Sequence, residues 1–518
     1  MIRENRREKS NRIVKNTLLL YVRMLFLMAI GLFTSRVILQ TLGVEDFGIY
    51  NVVGGFVAMF AVLSQSLSSA SSRFLTFSMG VGDKERLTKV FSSTVIVHIL
   101  LALIIVVLAE VIGIWFVNNK MVIPEDRLIA ANWVFQLSIL SFCLTIITVP
   151  YNAAIIAHEK MSAFAYISIF EGVAKLLICY LLYIAPFDKL IFYAILFFAI
   201  QFITRGLYYL FCKKHFAETH LQIVYDKSLL RELFSFAGWN FIGSSSAILR
   251  DQGGNILLNL YFGPVVNAAR AVANQVLHAV QGFVENFMTA MKPQITKSYA
   301  SGEHEYMMTL IFYGSRLSYY MLLFLGLPIL MNTDYLLHLW LKTVPDHSIP
   351  FVQLIIIFTM IESVSYTLVT AQQATGNIRN YQLLVGGLQL MNVPVSYIIL
   401  KMGGVPETIL YVAIFFSICC LTGRLFMLSH NDVRLPVWGY IKSVILNVLV
   451  VSITSAAIPY IVKQFFQESF VTFAVISLIC LICSSLSIFF IGFSNKERQI
   501  IISKMKVSLI SKRGAILK

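Results

Sequence analysis

Six basic side chains fall in the first, second, seventh and eighth of the stretches that otherwise read as lipid-length apolar helices: Arg23, Arg36, Arg73, Arg250, Arg270 and Lys292. Asp251 and Glu285 stand against them in the same helices. A charge within the bilayer is costly and faces protein or a water-filled cavity rather than lipid. The sign balance predicts a net cationic lumen. Such a cavity attracts an anion, and the planar arginine fork matches phosphate through paired hydrogen bonds. A lumen built for an organic cation would instead carry net acidic groups. Packing offers a plainer reading of some positions. Arg250 and Asp251 can pair with each other, Glu285 can pair with Lys292, and Arg36, Arg73 and Lys292 lie near span ends where they can snorkel.

Small polar residues extend the pattern. Asn267, Arg270, Asn274, His278, Gln281, Glu285, Thr289 and Lys292 recur in steps of three and four, one face of an α-helix. A preceding stretch carries Asn240, Ser244, Asp251, Asn255 and Asn259, and a later one Thr359, Glu362, Tyr366, Thr370 and Gln373. Hydrogen bonding between packed helices accounts for Asn, Ser and Thr in such places equally well. Taken as lumen lining, the set is Asn255, Asn259, Asn267, Asn274, Gln281, Tyr366 and Gln373. No G-x-x-x-x-G-K-[ST] phosphate loop, H-E-x-x-H or Cys/His ligand set occurs, so no cofactor or metal is expected.

The elements that hold these residues must be membrane helices. Apolar residues make up 58% of the 518-residue chain and charged residues 13%, about half the charge content of a soluble domain. Fourteen candidate spans follow, at roughly 16–41, 48–79, 90–117, 128–156, 163–184, 190–212, 235–262, 265–298, 308–331, 349–375, 381–400, 408–429, 438–462 and 470–493. The expected organisation is a basic cytoplasmic N-terminus (1–15), an N-lobe of six spans (16–212) and an inter-lobe loop (213–234). A C-lobe of six spans (235–430), two further spans (431–493) and a basic amphipathic surface tail (494–518) follow. The net charge of +15 reflects loop topology rather than nucleic-acid binding, because Lys and Arg collect on one side of the alternating loops, about fourfold over the other. That asymmetry puts both termini in the cytoplasm. The seven cysteines lie in or beside apolar spans and form no disulfide framework.

An internal repeat is legible at an offset of about 220 residues. Gly80-Val81-Gly82-Asp83-Lys84-Glu85 is matched by Ala300-Ser301-Gly302-Glu303-His304-Glu305, and Ala157-His158-Glu159-Lys160 by Gly376-Asn377-Ile378-Arg379. Leu42-Gly43-Val44 is matched by Phe262-Gly263-Pro264, and Trp115 with Pro124-Glu125-Asp126 by Trp340 with Pro345-Asp346. An even number of spans per repeat makes both halves run the same way, and repeated halves with a site between them suit alternating access. Pro150, Pro328 and Pro394 allow bends within spans.

The chain resembles the polysaccharide branch of the MOP exporter superfamily, the Wzx-type flippases of O-antigen and capsule repeat units. The residues that carry the resemblance are Ser35-Arg36-Val37, Leu42-Gly43-Val44-Glu45-Asp46-Phe47-Gly48-Ile49-Tyr50, Arg250-Asp251-Gln252-Gly253, Phe262-Gly263-Pro264, Asn267-Ala268-Ala269-Arg270, Pro293-Gln294-Ile295-Thr296 and Gln373-Ala374-Thr375-Gly376. It implies an all-α polytopic fold of two six-helix lobes plus two C-terminal helices. It also implies export of an undecaprenyl-pyrophosphate-linked oligosaccharide across the bacterial inner membrane, with polymerase and glycosyltransferase partners. On this analogy Arg36, Arg250 and Arg270 are first choices for the pyrophosphate, with Arg23, Arg73 and Lys292 behind them. Asp251, Glu285 and Glu362 become candidates for H+ or Na+ coupling. A multidrug or cation antiporter of the same fold, a peptidoglycan-precursor flippase and a membrane polysaccharide polymerase are the competing readings. The last is an enzyme and would be expected to show a large non-cytoplasmic loop, and the loops here are short.

A reporter active only in the cytoplasm, fused to either terminus, is expected to give signal. The same reporter inserted at Pro124 is expected to stay silent. Signal from one terminus alone would overturn the even span number.

Overall fold

A computed structural model describes residues 2–58, 61–119, 123–184, 187–222, 226–262, 264–341, 344–495 and 497–499. Among them there is no strand. The main helices are α1 (Ile2–Ala58), α2 (Ala61–Val81), α3 (Lys84–Asn119), α4 (Glu125–Ala157), α5 (Met161–Tyr183), α6 (Lys189–His215) and α7 (Lys227–Phe262). They continue as α8 (Pro264–Ala300), α9 (His304–Met331), α10 (Ser348–Thr375), α11 (Arg379–Lys401), α12 (Thr408–His430), α13 (Val437–Lys463) and α14 (Phe470–Gly492). Most of the tail expected at 494–518 lies outside the described residues, as does Gly263.

Among the described residues, eleven helices are long and apolar enough to cross a membrane. The expected spans missing from that set are 48–79, 235–262 and 265–298. These correspond to the end of α1 with α2, to α7 and to α8, which carry the polar stripes. Each Asn, Gln or Arg on a helix face lowers its mean hydropathy, so the helices richest in polar residues fall short of the spanning criterion while keeping the length to cross.

Backbone conformation supports the repeat. Gly82 (φ 82) and Gly302 (φ 74) both take left-handed values after the matched ends of α2 and α8. The second matched turn also holds a left-handed residue in each half, Glu159 (φ 59) and Gly376 (φ 78), two positions apart in the match. Gly43 (φ 83, ψ 169) breaks α1 where the first span was expected to end, in a region open essentially to glycine alone. Pro150 and Pro328 lie inside α4 and α9. Pro394 stands in the second half of α11, just after a turn at Met391.

The chain forms two compact units. Unit 1 comprises Met1–Ser246, Thr289–Met307 and Thr370–Gly386, and unit 2 Ala247–Met288, Met308–Val369 and Gly387–Lys518. Unit 1 packs around Phe74, Phe91, Tyr151, Tyr208 and Phe236. Its most heavily bonded turn is at Glu159, whose side chain is 2% exposed. Lys297 Nζ donates to Oε1 at 2.7 Å and Gln294 Nε2 to Oε2 at 2.6 Å. The Glu159 carbonyl accepts from Asn16 Nδ2 at 3.2 Å. One turn thus ties α1, α4 and the tail of α8. Beside it, Gly80 lets the ends of α2 and α8 meet, since a Cβ there would lie 2.6 Å from Ala300 Cβ. At the opposite end of α4, Arg127 bridges Asp46 and Asp188, the latter at 2.6 Å. Burial would raise the Asp188 carboxyl. The backbone N–H groups of Ile191 and Leu190 and the Arg127 guanidinium outweigh it and hold the group below the usual carboxylate range.

Unit 2 docks its last two helices through polar contacts. Tyr440 Oη donates to Ser315 Oγ at 2.7 Å and to the Val364 carbonyl at 2.9 Å. Tyr320 Oη bonds Asn447, and Arg316 Nη1 donates to the Gly492 carbonyl at 2.9 Å.

Lys297→Met leaves the Glu159 carboxylate buried with its main cation gone. It is expected to cost about 3–5 kcal/mol, read as a fall in thermal unfolding temperature in detergent. The double variant Glu159→Gln/Lys297→Met should recover much of that loss. Equal losses in both variants would mean that the pair is not coupled.

Candidate functional site

Unit 2 contains a cavity of about 470 Å³. The second half of α7 contributes Arg250, Asp251, Gln252 and Asn255, and the first half of α8 contributes Arg270, Asn274, His278, Gln281 and Glu285. Across from them stand Phe358, Thr359, Glu362 and Tyr366 of α10, Asn392 and Ser396 of α11, and Ile409 and Ala413 of α12. The α8 residues recur at helical spacing, so one face of a single helix lines the cavity.

The cations differ in how they are satisfied. Arg250 Nε donates to Asp251 Oδ1 at 2.9 Å, and its guanidinium lies 5.1 Å from the centre of the Phe358 ring. Arg270 is 6% exposed, and its Nε and Nη1 are buried without a hydrogen-bond partner. Its guanidinium lies against the backbone of Gly254, where a Cβ would come within 3.3 Å of Nη1. A Cβ on Gly253 would come within 2.6 Å of Val393. Two adjacent glycines let α7 approach its neighbours closely enough to wall in Arg270.

Besides Asp251, Glu285 and Glu362 line the cavity. Glu362 Oε1 accepts from Ser417 Oγ at 2.5 Å, and Oε2 lies 3.9 Å from Arg424, which is 3% exposed. Gln281 Nε2 donates to Tyr366 Oη at 3.4 Å. Fifteen residues of helix separate Arg270 from Glu285, a rise of about 22 Å. Cations and carboxylates are nevertheless interspersed: Asp251 pairs with Arg250, and Glu362 stands one turn along α10 from Phe358, over which the Arg250 guanidinium lies. The expected net cationic lumen is not what this cavity shows by itself: Arg250 and Arg270 face Asp251, Glu285 and Glu362. The expectation also counted cations that the fold places elsewhere.

Those residues fall as follows. Asn267 lies beside the cavity and donates to the Asn255 carbonyl at 3.2 Å, joining α8 to α7. Arg23 is in unit 1, 4.4 Å above the Phe164 ring, with its Nε buried and unbonded. Arg73 is in unit 1 among the rings of Phe74, Phe77 and Phe236. It does not snorkel, and Nη2 donates to the Ala374 carbonyl at 3.1 Å. Lys292 is exposed and Gln373 half-buried, both in unit 1. The side chains of Arg36 and Asn259 lie outside the described ones.

The comparisons with known proteins bear on what this cavity serves. Residues 13–299 match the family described as polysaccharide biosynthesis protein. The chain belongs to that family. A curated relative, the uncharacterised membrane protein EpsK of Bacillus subtilis (strain 168), is 22% identical over 274 residues, 52% of this chain and 54% of its own. The chain thus spans about half the length of the curated relative it matches. Solved structures share the fold. One is an outward-facing multidrug resistance MATE transporter of the MOP superfamily (TM-score 0.69, 13% identity, 83% of this chain and 96% of that one). Another is a MOP superfamily transporter from Pyrococcus furiosus, described as having a binding pocket of reverse polarity that suggests a different function (TM-score 0.67, 15% identity, 81% and 96%). This family member is therefore a multi-pass all-α membrane protein of the MATE-like MOP fold.

Sequence reasoning did not single out Arg424, Asn392 or Ser396. Arg424 was findable as a lone charge in an apolar span. In unit 1 it also passed over a polar network within membrane helices. Lys175 Nζ donates to Glu171 Oε1 at 2.8 Å, Gln201 Nε2 donates to the same oxygen at 3.3 Å, and Arg205 donates to Gln201 Oε1 at 2.9 Å. The i,i+4 spacing of Glu171 with Lys175 and of Gln201 with Arg205 was the available signal.

An unpaired buried donor is a standing cost of ~1–3 kcal/mol. Arg270→Met is therefore expected to raise thermal stability by about that amount in detergent. A lower unfolding temperature would show that Arg270 is a structural member of the helix packing.

Proposed function

We propose that this family member is a flippase. It moves an undecaprenyl-pyrophosphate-linked oligosaccharide from the cytoplasmic to the periplasmic leaflet of a bacterial inner membrane by ion-coupled alternating access. Flipping then precedes polymerisation of a surface polysaccharide, beside the glycosyltransferases that build the repeat unit. The observation that carries the reading is the Arg270 guanidinium, buried at the cavity with two nitrogens unbonded. A pyrophosphate offers several anionic oxygens to such a fork and repays the desolvation of the cation. The glycan lies in the polar cavity while the polyprenyl tail stays in lipid, so neither meets the wrong solvent.

Coupling follows from the pairing of Arg250 with Asp251. A pyrophosphate arriving at Arg250 competes with Asp251 for the same guanidinium. The freed carboxylate then takes up a proton or Na+, so anion and cation binding favour each other. Glu362, held by Ser417 with Arg424 nearby, and Glu285 are the further coupling groups.

The three carboxylates of the cavity favour a second reading, export of an organic cation, with Glu285, Glu362 and Tyr366 as its contacts.

The test is transport in proteoliposomes. Flipping of a short undecaprenyl-pyrophosphate oligosaccharide is followed by its accessibility to an impermeant reagent. Arg270→Ala is expected to slow it by about tenfold to a hundredfold, the loss of a charge-assisted contact, while staying folded. Asp251→Asn should keep flipping but lose its response to an imposed ion gradient. Efflux of an organic cation with no flipping would replace this reading by the second.

A further inference from the structure

Unit 1 has a cavity of its own, of about 900 Å³, which the transport reading does not use. It is bounded by the end of α2, the start of α7 and the turn before α11. Its charged lining is Arg73, Lys227, Arg231 and Arg379, with Glu232 as the one carboxylate among the described lining residues. Glu232 lies 3.7 Å from Arg86. Among the described residues, none of the four lining cations forms an ion pair.

Two of those cations are held by rings instead. The Arg73 guanidinium lies 4.5 Å from the centre of Phe74, 4.8 Å from Phe77 and 5.7 Å from Phe236. That of Arg379 lies 5.5 Å from Trp239. A ring quadrupole positions a cation without cancelling its charge, so the guanidinium groups stay available to an anion. Arg73 Nε is buried and unbonded. The turn leaves Arg73 its place only because residue 376 is glycine, since a Cβ there would lie 2.3 Å from Nη2. At the start of α7, Asp226 Oδ1 already accepts from the backbone N–H groups of Ser228 and Leu229. Recognition therefore rests on the side chains. Lys227, Arg231 and Arg379 belong to the loops that the charge asymmetry assigns to the cytoplasm, where a basic pocket among helix ends suits an anionic headgroup.

We propose that this cavity is a second anion site that binds a phosphate ester. The group comes from an anionic lipid headgroup of the inner leaflet or from a soluble phosphate compound. The proposal does not rest on the transport reading.

The full-length protein is purified in detergent. Phosphatidylglycerol and phosphatidylcholine are titrated separately and bound lipid is counted by native mass spectrometry. Glycerol phosphate is titrated by calorimetry. Arg231→Ala/Arg379→Ala is compared with wild type, with thermal unfolding as the folding check, and Arg270→Met reads out anion binding at the other cavity. The expected result is retention of phosphatidylglycerol over phosphatidylcholine, weakened by about tenfold or more in the double variant and by less in Arg270→Met. The same pattern with glycerol phosphate in place of lipid supports the site and makes its ligand soluble. Binding of both probes that is indifferent to the double variant overturns the proposal, as does absence of binding by either. Loss in Arg270→Met equal to that in the double variant also overturns it, and assigns the anion to the other cavity. These readings are of binding alone, so failure of the transport assay leaves them intact.

Discussion

A charge inside a membrane protein must be answered by something other than water, and the arginines of this chain are each answered differently. Arg250 has a carboxylate next to it in sequence. Arg73 and Arg23 have aromatic faces. Arg316 has a backbone carbonyl and Glu497. Arg270 keeps two unbonded nitrogens at a polar cavity. In a low dielectric the difference between these answers is large.

The backbone makes room for these arrangements at a few positions. Gly253 and Gly254 bring α7 close to its neighbours and lay a bare stretch of main chain against Arg270. Gly376 does the same for Arg73. At the repeat-related turn the left-handed residue is Glu159. There strain at a non-glycine residue is offset by hydrogen bonds from Lys297 and Gln294. The two halves thus share a turn geometry and diverge in the chemistry built on it: a buried carboxylate in one, a seat for an arginine in the other.

The polar cavity in unit 2 is lined by both cationic and acidic groups, with Arg250 and Asp251 side by side. Fold alone says little about cargo. MATE-like structures of low identity share the helices, while the charges that face the lumen belong to each chain separately.

Composition and periodicity by themselves determined that this is a polytopic helical membrane protein with repeated halves. Hydropathy and helical spacing are local properties, and lipid forces the backbone to satisfy itself within each span. The three-and-four spacing from Asn267 to Lys292 likewise placed Arg270, Asn274, Gln281 and Glu285 on one face of α8. The tertiary structure decided which cations share a cavity. Arg73 and Arg270 look alike in sequence, each a lone arginine on a polar stripe, yet one stacks among three rings beside a glycine turn and the other faces the cavity. Arg424, outside every motif that drew attention, comes within reach of Glu362 only through the packing of α12 on α10. Which groups neutralise which is a matter of distances between helices remote in sequence, and no local pattern encodes those distances.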